Sequence, residues 1–352
     1  MKKIKMPKLI IAFAVLVILS CSKTEENVSL TPPTGQITVD KIVRQSSLRN
    51  QVIPFAVQNE MGDDVTEMTT FYVDGQEITG NTFSSPAVGE FEVYGKYTEN
   101  GVLITTNTVP FSVIVPKRKV VLEDYTGTWC GFCPKVTAAL ENLHALTTDV
   151  TVVAIHQTAS SLPDPMHFED FNILKDAFFE NQGLPVARIN RTGVWDDPYS
   201  TDNVLSMAGV ETDLAIAILS KLDGDTLTVR ADVVFENGSV TGDKLVVYLL
   251  ESGVIHAQTN YFNADMTSPY YQQGNPIPDF VHNDALRLSL SAVLGDNISA
   301  TAELVEFSKT FTVTIPADYN VDNLSLVVMV VDSDNNARNA QFANVSEDKA
   351  YE

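Results

Sequence analysis

Two cysteines placed where a strand hands over to a helix constrain this chain more than any other feature. Val120, Val121 and Leu122 read as a buried strand. Thr126-Gly127-Thr128 breaks it, and Trp129-Cys130-Gly131-Phe132-Cys133 follows. Beyond the second cysteine, Val136, Ala139, Leu140, Leu143 and Leu146 recur at steps of three and four, one face of a helix. The first turn of a helix carries amide groups without partners and the positive end of the helix dipole. A thiolate there is stabilised, so its pKa falls and attack on a disulfide becomes feasible near neutral pH. From their order along the helix, Cys130 is the expected nucleophile and Cys133 the more buried resolving thiol. Two other readings compete. A static disulfide would close too short a loop to constrain the unfolded chain much. A closed zinc site needs four ligands, and the chain holds three cysteines with no second pair.

The W-C-x-x-C string after a buried strand resembles the thioredoxin superfamily. Gly183-Leu184-Pro185-Val186, about 50 residues downstream of the cysteines, supports the resemblance. It implies that Pro185 is cis and lies against the cysteine pair; an ordinary trans loop proline is the alternative. Asp124, six residues before Cys130, occupies the position of the buried acid that assists proton transfer in thioredoxins. Glu123 is the alternative partner, and both could be surface acids. Trp129 is expected to shield the disulfide and, with Leu184, to meet substrate. The string E-D-Y-T-G-T-W-C-G-F-C-P-K, behind a lipoprotein-like leader, is also similar to the outer membrane protein 28 family of Gram-negative lipoproteins.

That leader is residues 1–20. Lys2, Lys3, Lys5 and Lys8 precede an apolar run from Leu9 to Leu19, 11 residues long, which is too short to span a bilayer at about 20 residues per crossing. Ile18-Leu19-Ser20-Cys21 resembles a lipobox, which implies cleavage before Cys21 and lipidation of its sulfur; an ordinary secretory signal is the alternative. The expected product is anchored by lipid, not spanning, in the cell envelope at the periplasmic or outward face of the outer membrane. Ser22 after Cys21 fits outer-membrane sorting. With Cys21 lipidated, the free thiols are Cys130 and Cys133, a usage that suits an oxidising compartment.

The formal charge is −22. Removing the four leader lysines leaves 19 basic against 45 acidic residues, or −26. This charge argues against nucleic acid and anionic lipid surfaces as partners. No phosphate loop, flavin or nicotinamide fingerprint appears, so no cofactor is expected, and turnover needs a separate redox partner in addition to protein or peptide disulfide substrates.

The expected fold class is multidomain, an α/β thioredoxin-like domain flanked by two all-β immunoglobulin-like sandwich domains. Residues 21–35, with Pro32-Pro33, form a lipidated tether. Residues 36–116 alternate with period two and carry Asp74-Gly75 and Asn100-Gly101 turns, the pattern of an immunoglobulin-like sandwich. Residues 117–222 form the thioredoxin-like domain and end in a helix over about Thr201 to Leu222. Residues 223–352 return to strands and form the second sandwich. The stretch Asn260 to Asn283 is rich in aromatics and proline. It is expected either to be functional or, more simply, to pin itself onto the neighbouring domain. His156 is expected to be a satisfied strand-end histidine. Asp332-Ser333-Asp334-Asn335-Asn336 lacks the glycine and glutamate of a calcium loop and reads as a hairpin tip. No metal site is expected.

Overall fold

Strand Val120–Thr126 lies inside a nine-stranded sheet, the largest of the sheets among the described residues. A computed structural model describes residues 36–39, 46–159, 161–179 and 182–352. The leader 1–20, Cys21 with its lipidation, and the tether 21–35 lie outside the described residues. Val120–Thr126 pairs in parallel with Val150–His156 on one side. On the other it pairs antiparallel with Val186–Ile189, which carries the short edge strand Gly193–Val194. Helix Pro134–His144 connects the two parallel strands, and Phe171–Phe178 precedes the antiparallel one.

Alternation along the strands explains the two faces. Val120 and Leu122 join Val136, Leu140 and Leu143 of the first helix in one core. Val121 and Tyr125 point the other way and pack with Phe171, Leu174 and Phe179. Both faces are covered, so the strand is continuously buried.

The sheet does not stop at Val150–His156. Ala154 pairs with Ala285 of strand Ala285–Ser289, and Lys244–Glu251, Leu324–Val331 and Ala337–Asn344 continue from there. Leu245, Val247 and Leu249 face a separate three-stranded sheet of Leu214–Asp223, Thr226–Phe235 and Glu306–Thr314. Val246, Tyr248 and Leu250 share the core of Tyr125 and Phe171. Residues assigned from sequence to two domains therefore share one sheet.

One expected element is corrected here. The helix over Thr201 to Leu222 is only Thr201–Leu205, and Leu214–Asp223 is a strand. Its Leu-Ala-Ile-Ala-Ile run is buried on both faces. Leu214, Ile216 and Ile218 enter one core, and Ala215 and Ala217 meet Leu48 and Tyr351 in another. A short, continuously apolar run has no period that separates a buried strand from a buried helix.

The preceding segment, through Ile114, forms a three-stranded and a six-stranded sheet. They share a core of Phe55, Phe71, Val93 and Phe111. Asp332–Asn336 is the tip joining Leu324–Val331 to Ala337–Asn344. The fold is mostly β, in several sheets with few helices.

Candidate active site

Cys130 and Cys133 are joined in a disulfide with Cα atoms 5.4 Å apart. The strand ends at Thr126, a tight turn follows in which the Cys130 amide donates to the Gly127 carbonyl, and the helix begins at Pro134. Proline is preorganised for that first helical position. Both cysteines are nearly inaccessible, 4% and 1% exposed, whereas Phe132 between them is 56% exposed.

The Leu184–Pro185 peptide bond is cis. Tyr125 pairs with Val186, so Pro185, one residue earlier, sits at the end of the sheet from which the cysteine turn departs. Leu184 and Pro185 are half-buried. The Trp129 indole donates to the Gln157 carbonyl at 2.7 Å, which lays the ring over the turn. Gly127 leaves the necessary room, because a Cβ there would lie 2.7 Å from the Trp129 ring nitrogen.

Neither acid of the strand is on the surface. Successive residues of a strand face opposite ways, and the two carboxyls meet different surroundings. Glu123 accepts from Arg191 and Tyr125, both fully buried. Asp124 lies under the first helix in a cavity of about 60 Å³, lined also by Thr126, Leu140, His156, Gln258 and His282. Its Oδ1 has no hydrogen-bond partner among the described residues. Burial pushes its carboxyl up to about 8, so near neutral pH it holds a proton that it can release.

Histidine and acid side chains close the back of the cavity. His156 Nδ1 lies 3.0 Å from Asp164, which also accepts from the Thr128 and Met166 amides. Burial opposes ionisation of Asp164, but its bond to His156, the His156 charge and the two amides outweigh it and hold the carboxyl down at about 2. Burial, with His156 nearby, pushes His282 down to about 3. Asp164 thus ties the loop after Val150–His156 to the turn before the cysteines. Nothing in its sequence context marks it except the adjacent Pro163 and Pro165.

Sequence reading also missed the closest neighbours of the cysteines. The aromatic segment does pin itself down, but onto the cysteine turn itself. Its base is the two-stranded ribbon Val254–Ile255 with Val281–His282. Tyr270, Ile277 and Phe280 form its own small core against Ala138 of the first helix. The Gln258 side-chain amide donates to the Cys130 carbonyl at 2.8 Å, the Thr259 amide to Thr128 at 2.8 Å, and the Tyr261 amide to Gly131 at 2.9 Å. The Tyr261 ring also packs edge-on against Phe132, with centroids 5.0 Å apart. The density of aromatics flagged the loop, but Gln258 precedes them.

Among the described residues no group of His, Cys, Asp and Glu could hold a metal ion. No described helix is long and apolar enough to cross a membrane.

The family described as outer membrane protein Omp28 matches residues 174–349, half of the 352-residue chain. The match begins after the cysteine pair and includes the clamping segment. No curated protein matches. Among solved structures, HBP35 of Porphyromonas gingivalis is similar at 15% identity and a TM-score of 0.51, over 66% of this chain and 77% of that one; the likeness is one of fold. A β-glucosidase from Kluyveromyces marxianus aligns at 9% identity over 86% of this chain and 45% of that one. Its TM-score of 0.18 carries no argument.

Proposed function

The chain belongs to the outer membrane protein Omp28 family, and we propose that this outer membrane protein is a lipid-anchored thiol–disulfide oxidoreductase whose cysteine turn sits on a thioredoxin-like unit. The observation that carries the reading is the junction itself. A disulfide closes the turn between a buried parallel strand and a helix, above a buried, protonated carboxyl, with Pro185 at the same sheet end.

In the reduced protein, the Cys130 thiolate attacks one sulfur of a substrate disulfide. The substrate S–S bond breaks, one substrate sulfur leaves as a thiolate that takes up a proton, and a mixed disulfide joins Cys130 to the other. Cys133 gives its proton to the fraction of Asp124 that is ionised near neutral pH and attacks the Cys130 sulfur. The second substrate thiol is released, the substrate is reduced by two electrons, and the disulfide reforms. Run backwards, the same steps donate the disulfide to a substrate dithiol. Either direction needs a partner dithiol or disulfide to reset the pair. Trp129 and Leu184 border the approach to Cys130. The strands through Ile114 are read as an immunoglobulin-like sandwich, and Cys21 as the lipid anchor.

A second reading rests on one observation, the burial of both sulfurs. In it the disulfide is inert, and the β sheets bind a surface ligand. Equilibrating the pair in glutathione buffers separates the two. A potential between about −120 and −270 mV marks an exchange catalyst, and one below about −300 mV a structural bond. With Cys133→Ser, the first reading expects mixed disulfides trapped on Cys130.

A further inference from the structure

We propose that Gln258 is a positioning residue of the redox turn, supplied by the C-terminal half of the chain, and that it sets the acidity of Cys130 together with the Thr259 and Tyr261 amides. This rests on the oxidoreductase reading above and adds a control that lies outside the W-C-G-F-C string.

Three donors from one short segment meet three carbonyls of one turn. The Gln258 amide reaches Cys130 and the Tyr261 amide reaches Gly131, while Thr259 fixes Thr128 from the same side. Gln258 is 3% exposed, so its bond is made away from competing water and is correspondingly strong. A trans peptide unit is planar, with its carbonyl and its N–H pointing in opposite directions. Holding the Cys130 and Gly131 carbonyls against the clamp therefore turns the Gly131 and Phe132 N–H groups away from it. Neither N–H donates to a protein acceptor among the described residues. They are free to donate to the Cys130 thiolate of the reduced protein, and a donor on each carbonyl polarises the same peptide unit and strengthens its N–H. A thiolate that accepts such bonds is favoured over the thiol.

Gly131 is the second half of the device. A Cβ at this position would lie 2.5 Å from the Tyr261 ring, closer than atoms pack. The middle of the motif is glycine because the clamp lies on it. An alanine there must lift Tyr261 and with it the donor to the Gly131 carbonyl.

The test uses the full soluble chain without its leader, reduced, with the Cys130 thiolate titrated by its ultraviolet absorbance and the pair equilibrated with glutathione. Gln258→Leu keeps the bulk and removes the donor. The expected result is a fall of about threefold or more in the Cys130 acid constant and a similar fall in the equilibrium constant for reduction, since the thiolate belongs to the reduced form. Gly131→Ala is expected to shift both in the same direction, and Gly131→Ala with Tyr261→Ala to bring them back towards the wild type. Unchanged constants in Gln258→Leu, even with a lower melting temperature, would overturn the proposal and leave a packing role. If Gln258→Leu does not fold, the Gly131 pair decides: no shift in Gly131→Ala, or a shift that Tyr261→Ala does not relieve, also overturns it. The wild-type potential alone judges the oxidoreductase reading; the differences between variants and wild type judge the clamp.

Discussion

Asp124 pairs in register with Ala154 on the neighbouring parallel strand, so the buried acid of the strand that leads into the cysteine turn stands opposite a methyl group and not a cation. Its raised pKa follows from this arrangement, since burial acts without a compensating charge. The unfolded chain loses this proton near pH 4, whereas the folded chain keeps it to about 8. Asp124 therefore stabilises the fold fully below pH 4, and the contribution is lost progressively as pH rises to about 8. Asp124→Asn is expected to be more stable than the wild type at pH 8 and to differ little at pH 4, read from urea midpoints. The same variant is expected to slow disulfide exchange at pH 7, by up to about a hundredfold, through loss of the proton carrier.

His282 and Asp164 act on the acid side. The folded His282 stays neutral down to about pH 3, while the unfolded residue takes a proton near pH 6.5. Its contribution is present above pH 6.5 and is lost as pH falls towards 3. Between about pH 4 and 6.5 it runs against that of Asp124, so stability is expected to be flat there and to fall on both sides. Asp164, held at about 2, adds a further loss below pH 4. In His282→Leu the Asp124 contribution is unopposed, so stability is expected to rise as pH falls from about 6.5 to 4 and to decline less steeply below pH 4 than in the wild type, measured as urea midpoints at half-unit steps.

The cysteine junction was legible because its signals are local. A buried strand, a glycine break, W-C-x-x-C and a helical period adjoin one another in sequence, and Leu184-Pro185 announces itself. The helix misread over Leu214–Asp223 failed because an apolar run buried on both faces has no period to read. The contacts that complete the site were illegible for a different reason. Gln258 lies 128 residues from the carbonyl it holds, and Asp164 lies 36 residues from the Thr128 amide. Single polar residues in loops carry no pattern, and the shared sheet through Ala154 and Ala285 joins the two distant parts of the chain.

Gly127 tests how far the turn depends on close approach. A Cβ there meets the Trp129 ring nitrogen at 2.7 Å and the Gln157 carbonyl oxygen at 3.0 Å, the two atoms of the bond that lays the indole over the turn. Gly127→Ala is expected to cost about 1–3 kcal/mol as overpacking. It should also expose the indole, seen as a red shift of Trp fluorescence. Trp195 is buried against Tyr199 in another core and is expected to stay unchanged, so Trp195→Phe isolates the signal.

The Glu123–Arg191 pair, 2.7 Å apart with both side chains fully buried, joins strand Val120–Thr126 to the rest of the sheet. Arg191 also donates to the Tyr248 hydroxyl, and that hydroxyl donates to the Val293 carbonyl. Burial works against the guanidinium charge, but Glu123 beside it, with Tyr248 and Tyr125, holds the proton more firmly than usual. Removing one partner strands the other charge in the core. Arg191→Met is expected to cost about 3–5 kcal/mol, as is typical when a buried pair is broken. Replacing both with apolar residues of similar volume, Glu123→Leu with Arg191→Met, is expected to recover most of that loss, because no charge is then left desolvated. Chemical denaturation of the two variants and the wild type at pH 7 measures it. A double variant as unstable as the single one would mean that the hydrogen bonds to Tyr125 and Tyr248, and not the buried charge, hold this junction together.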